Sequence, residues 1–260
     1  MTIENNGIST ANYSKFSAPR PEGVAPSCVV VTYSVSKELD IAIETLQKNG
    51  TSVHYIIDQN GKQYQYHNDL TDKAFYAGNS SWKGIESVNN FGIGIMFIND
   101  SESSFTNEQL TQAKKLLEDI KDRYPNLDIE NNLVGLGEVA EKHIAPGKFF
   151  PWKELAEAGF GKFVSTTKED RENILLKKGD QDDESHKVSP VQLKLQTYGY
   201  GIKDTGTCDD STVTWFSKFN TRYVPEQSPP ENWTQASQNV LDELVVIGSI
   251  EAMLYDTHIG

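Results

Sequence analysis

Between Cys28 and Tyr33 the chain runs CVVVTY, an apolar β-branched stretch without alternation, and such a run predicts a strand buried on both faces. Ser36 then opens a helix over Lys37 to Lys48: Leu39, Ile43 and Leu46 share one face, and Asn49-Gly50 supplies the stop. SVHYIID and KQYQYHN follow, split by Gln59-Asn60-Gly61, and an Asn-Gly between two such runs predicts a β-hairpin. GIGIMFIN, from Gly92 to Asn99, reads as a second buried strand. An amphipathic helix from Thr106 to Tyr124 carries Leu110, Ala113, Leu116, Leu117 and Ile120 on its apolar face and ends at Pro125. LVGLGEVA predicts a further short strand or strand end, HIAPGKFFPW a loop, and Trp152 to Ala158 the beginning of a short helix.

Strands alternating with helices predict an α/β domain, a mixed central sheet flanked by helices, over residues 1–165. From 166 to 187 the composition turns polar, QDDES has no apolar period, and the stretch reads as a linker with one helical turn at ENILL. Residues 188–260 offer three helical segments, VQLKLQTYGY, STVTWFSKFNTRYV and ENWTQASQNVLDELVVIG, which predict a small three-helix domain.

Charge narrows the partners. The 260 residues hold 24 Lys+Arg against 37 Asp+Glu, a net charge of −13, which argues against nucleic acid and against anionic membrane surfaces. No apolar run approaches the ~18 residues of a membrane span. The first 27 residues lack a basic segment followed by an apolar one, so the expectation is a cytoplasmic protein or one exported by a signal-independent route. The two cysteines, Cys28 and Cys208, lie far apart and have no histidine in their local segments, which predicts neither a disulfide scaffold nor a thiol nucleophile.

HYIIDQNGKQYQ, KAFYAGNSSWKGIESVNNFGIGIMFIN and APGKFFPW, in that order, resemble the zinc-dependent type-2 N-acetylmuramoyl-L-alanine amidases, a fold shared with peptidoglycan recognition proteins. LKLQTYGYGIKDTGTCDDSTVTWFSKFNTRY resembles the helical peptidoglycan-binding module that follows this domain in some bacterial amidases.

The resemblance implies a zinc held by two His and one Asp or Cys, with a water in the fourth position. This chain departs from that pattern at each ligand. The family's His-Tyr-Thr reads Thr32-Tyr33-Ser34, its Gly-His reads Gly135-Leu136, and its Lys-x-Asp-Pro-Gly reads His143-Ile144-Ala145-Pro146-Gly147. Its Gly-Ile-Glu reads Gly94-Ile95-Met96, and its Trp-His-Ala-Gly reads Phe75-Tyr76-Ala77-Gly78.

The expectation is therefore a zinc-free, non-catalytic descendant with no other cofactor, Thr32, Tyr76, Met96, Leu136, Ala145 and His143 marking the degenerate positions. His143 with Glu138 and Glu141 is the one combination that could rebuild a metal site. By the resemblance, Tyr76, Asn79, Ser80, Trp82 and Asn90 line a groove for peptidoglycan fragments, a muropeptide or a protein partner. An active amidase with a rebuilt site, and a bacterial effector acting on host proteins, are the other readings.

Overall fold

The structure, a computed structural model, describes residues 16–185 and 187–256, with side chains described as far as Val246. The amino-terminal segment used for the localisation expectation lies partly outside these residues. The chain divides into two compact units, residues 1–80 with 87–162, and residues 81–86 with 163–260.

Unit 1 begins with β1 (Ser17–Pro19) and β2 (Cys28–Tyr33), followed by α1 (Leu39–Asn49), β3 (Tyr55–Ile57), β4 (Gln63–Gln65) and β5 (Asp72–Ala74). In unit 2, β6 (Ser81–Trp82) and β7 (Ile85–Glu86) form a hairpin. Unit 1 resumes with β8 (Gly92–Phe97), α2 (Asn107–Arg123), α3 (Ile129–Asn132), β9 (Leu133–Gly135), α4 (Leu136–Val139) and α5 (Trp152–Ala156).

The main sheet has the order β4-β3-β8-β2-β9. β8 is parallel to β2 and β3, β2 is parallel to β9, and β4 turns back antiparallel on β3. The sheet is mixed, as the alternation predicts. Central strands β2 and β8 are buried throughout except at Tyr33, which is why their sequences lack the polar alternation of a one-sided sheet. Helix α1 buries Ala42, Ile43 and Leu46, and Gly50 takes the left-handed conformation that ends it. Helix α2 starts at a capping box, Thr106 accepting from the Gln109 amide and Gln109 from the Thr106 amide, and buries Ala113, Leu116, Leu117 and Ile120. The hairpin turn between β3 and β4 has Gly61 at φ +75°.

LVGLGEVA is a short strand as far as Gly135, where the Glu138 carboxylate accepts the Gly135 amide at 2.6 Å and turns the chain into α4. One expectation needs correction. The stretch 166–187 is not a plain linker, since it carries α6 (Lys168–Glu172) and β10 (Ile174–Leu176) and belongs to unit 2. That unit continues with α7 (Val188–Tyr198), α8 (Asp210–Tyr223), β11 (Trp233–Thr234) and α9 (Gln235–Asp256), and β10 pairs with β11. Its core is aromatic: Trp233 packs on Phe216 and Phe219 with ring centroids 4.8 and 5.1 Å away. Among the described residues no helix is long and apolar enough to cross a membrane.

Candidate functional site

Parallel strands β3, β8, β2 and β9 present their carboxyl ends along one edge, the place where open α/β sheets form their clefts. Thr32 stands opposite Met96 in the register of β2 on β8. The β2–β9 register closes at Val31 and Gly135, so Leu136 follows directly beyond the pair. The Ala145 carbonyl accepts the Gly137 amide at 2.8 Å, and a Cβ on Gly135 would come within 2.7 Å of Pro146, so the 143–147 turn rests on the end of β9.

Thr32, Met96, Leu136 and Ala145, the positions that the resemblance aligns with the family's site, thus meet at one edge, all buried, with exposures from 4 to 8%. Their chemistry is one hydroxyl, one thioether and two hydrocarbon groups. Zinc requires imidazole, thiolate or carboxylate donors to offset the loss of its hydration shell, and this set provides none. The residues present do not fit the ion. Among the described residues no group of three or more His, Cys, Asp or Glu is placed to hold a metal. His143 is half-buried, and Glu138, its candidate co-ligand, is committed to capping α4 through the Gly135 amide.

Three apolar side chains near this edge are exposed, among charged neighbours such as Lys37, Lys142 and Lys148. Val35, two residues past β2, is 68% exposed at φ +60°, and Ile144, preceding Ala145, is 73% exposed. Phe149 is also exposed, on the turn whose Gly147 faces the Tyr33 ring.

The groove residues expected from the resemblance need revision. Tyr76 points inward: a Cβ at Gly92 would sit 2.3 Å from its hydroxyl and one at Gly94 2.7 Å from its ring, so two glycines of β8 make the slot that holds it. Burial pushes its phenol well above the ordinary value, and the hydroxyl has no hydrogen-bond partner. Ser80 is buried, its Oγ donating to the Gly78 carbonyl and accepting the Val88 amide. Asn90 Oδ1 accepts from Lys73 Nζ at 3.1 Å. Trp82 belongs to unit 2, where it is 2% exposed with Tyr198 and Tyr200 edge-on at 5.9 and 6.0 Å. Of the five, Asn79 is the exposed one.

Behind the edge lies a polar cluster that sequence reading missed. The Arg20 guanidinium donates to the carbonyls of Asp69, Asn90 and Gly92 at 2.8–2.9 Å and lies 3.3 Å from His54 Nε2. His54 Nδ1 accepts the Gly94 amide at 2.9 Å, which fixes the proton on Nε2, 3.1 Å from the Asp72 carbonyl. Burial, with Arg20 beside it, lowers the His54 pKa to about 3, so the ring stays neutral and structural. Asn89 Oδ1 accepts the amides of Tyr76 and Ala77 and fastens the same loop. The only sequence signal for Arg20 is an arginine between two prolines just before the first buried strand, too little to assign a role.

The N-acetylmuramoyl-L-alanine amidase family model (Amidase_2) matches residues 22–148. A Rickettsia conorii protein named for N-acetylmuramoyl-L-alanine amidase, RC0497, is 53% identical over 253 residues, 94% of both chains. The amidase AmiD of Escherichia coli, solved with the substrate anhydro-N-acetylmuramic acid-L-Ala-D-γ-Glu-L-Lys, superposes with a TM-score of 0.69 at 22% identity, over 87% of this chain and 91% of its own. AmpDh3 of Pseudomonas aeruginosa, solved with anhydromuramic pentapeptide, superposes with a TM-score of 0.68 at 21% identity over 93% and 96%. At these identities the two structures establish the shared fold.

Proposed function

The chain belongs to the N-acetylmuramoyl-L-alanine amidase family, and from that premise we propose that it binds peptidoglycan fragments at the carboxyl edge of β8-β2-β9 without hydrolysing them. One observation carries the reading: Thr32, Leu136 and Ala145, which the resemblance aligns with the family's zinc ligands, are buried at one edge with Met96, which it aligns with the acidic residue near the reacting water. Hydrolysing a muramoyl amide requires an activated water and a base to receive its proton. A hydroxyl, a thioether and two hydrocarbon groups neither hold the metal nor take the proton. What remains is a shaped, dry edge suited to contact. The complexes of AmiD and AmpDh3 support a muropeptide as the ligand class.

The helical character of unit 2 supports the further reading that it adds avidity on polymeric peptidoglycan, raising affinity without new contacts in unit 1. The exposed Val35, Ile144 and Phe149 favour a protein partner as the second reading of the same edge.

Two measurements on the purified protein test the proposal. Elemental analysis after zinc exposure and dialysis is expected to give far less than one zinc per chain, and calorimetry to give saturable binding of an anhydromuropeptide. Near-unit zinc that is lost in His143→Ala would show a rebuilt metal site. Absence of muropeptide binding would move the ligand to the protein-partner reading.

A further inference from the structure

Thr32, Met96, Leu136 and Ala145 are neutral, so the carboxyl edge of β8-β2-β9 offers an anionic ligand no charge of its own. Such a ligand meets cations on the rim. Three lysines stand near it, and their commitments differ. Lys37 pairs with Asp100 at 2.8 Å, and Lys142 directly follows Glu141, an exposed acid. Lys148 is exposed and forms no ion pair among the described residues, and the sequence from 142 to 153 contains no acid. Its ammonium lies 5.0 Å from the centre of the Phe149 ring, a contact that leaves the charge available to a ligand.

The turn that carries Lys148 is fixed to the edge by its backbone. The His143 amide donates to the Ala140 carbonyl at 3.1 Å, the Gly137 amide to the Ala145 carbonyl at 2.8 Å and the Phe150 amide to the Gly147 carbonyl at 3.4 Å. Lys148 is three residues from Ala145, so at most about 11 Å of chain separates the two. Ile144 and Phe149 are exposed on the same turn, and apolar neighbours strengthen a charge pair formed beside them. The ligand class supplies the anion. In a stem that reads L-Ala-D-γ-Glu-L-Lys, as in the AmiD complex, the glutamate is linked through its side-chain carboxyl, and its α-carboxylate is free and ionised at neutral pH. A single alanine lies between that glutamate and the muramoyl amide, about 7 Å of extended chain.

We propose that Lys148 determines specificity at this edge, its ammonium taking the free α-carboxylate of the γ-linked glutamate and so selecting acidic stems over stems amidated at that position. The inference rests on the muropeptide reading of unit 1. The carboxylate at the far end of the stem is common to both forms, so the comparison isolates the glutamate.

Titration calorimetry of the full chain in low salt tests it, with anhydro-N-acetylmuramoyl-L-Ala-D-γ-Glu-L-Lys and with the same molecule carrying D-isoglutamine in place of the γ-linked glutamate. The expected result is that the wild type binds the acidic ligand about fivefold more tightly, the scale of one charge pair at a surface. Lys148→Ala is expected to bring the two ligands within twofold of each other, Lys148→Arg to keep the preference, and Lys153→Ala, a control on exposed α5, to leave it unchanged. Lys148 lies on the surface, and circular dichroism checks that each variant is folded. Wild-type binding of both ligands with less than a twofold preference would overturn the proposal and leave the muropeptide reading standing, as would a preference that survives in a folded Lys148→Ala. A preference lost equally in Lys153→Ala would overturn it in favour of a general effect of charge. Binding of neither ligand would overturn both.

Discussion

Val35 holds a β-branched side chain in left-handed backbone, a conformation that clashes with its own Cβ, while the side chain itself stands in solvent. Strain without compensating burial collects at sites kept for contact. Val35→Gly relieves the strain, partly offset by the freedom glycine gains in the unfolded chain. The expected outcome is a gain of about 0.5–1 kcal/mol in urea unfolding. A loss of stability would show that the Val35 side chain has partners that hold it.

His54 gives a second residue-scale prediction. Its ordinary pKa of 6.5 falls to about 3 in the fold. Between these values the unfolded chain takes up a proton that the folded chain refuses, so the contribution is fully present above 6.5 and is lost as pH falls toward 3. From pH 7 to pH 5 the His54 term is expected to remove about 2 kcal/mol, seen as a lower urea midpoint, and His54→Asn is expected to flatten that dependence. An equal pH slope in wild type and variant would assign the acid sensitivity to other groups.

The elements show where sequence patterns carry and where they stop. Strands β2 and β8, helices α1 and α2 and the β3–β4 hairpin were legible, because apolar runs, helical spacing and an Asn-Gly turn are local signals. The small pairs β1–β5, β6–β7 and β10–β11 were not, since two or three residues of strand exist only through partners distant in sequence or the packing around them. The 166–187 stretch misled for a different reason. Its polar residues tie the backbone, with Asp182 capping α7 and the Asp180 carbonyl accepting the Cys208 amide, and composition alone does not separate such a loop from a linker.

The β6–β7 hairpin carries its own prediction. Trp82 reads from sequence as an exposed ligand platform, yet its ring is enclosed by Tyr198, Tyr200 and Gly199 within unit 2. Trp82→Ala is expected to cost about 3–5 kcal/mol of unit 2 stability in calorimetric melting while leaving muropeptide affinity within twofold. Lost affinity with an unchanged melt would return Trp82 to the binding surface.

At the scale of the whole molecule, the proposed function turns on the carboxyl edge of the sheet. The resemblance aligns Thr32, Met96, Leu136 and Ala145 with the family's site positions through the Gly-Ile and Pro-Gly motifs around them, and the fold brings the four to one edge. The groove lining was not legible, since the same loop sequence allows Tyr76 and Ser80 to face inward or outward, and the Gly92–Gly94 slot decides it for Tyr76. A family scaffold whose edge offers one hydroxyl, one thioether and two hydrocarbon groups predicts recognition without turnover. The most direct test is mass spectrometry of an anhydromuropeptide incubated with the full chain and excess zinc. The account predicts that the muramoyl–alanine amide stays intact at every time point, as in a protein-free control, and release of the stem peptide above that control would contradict it.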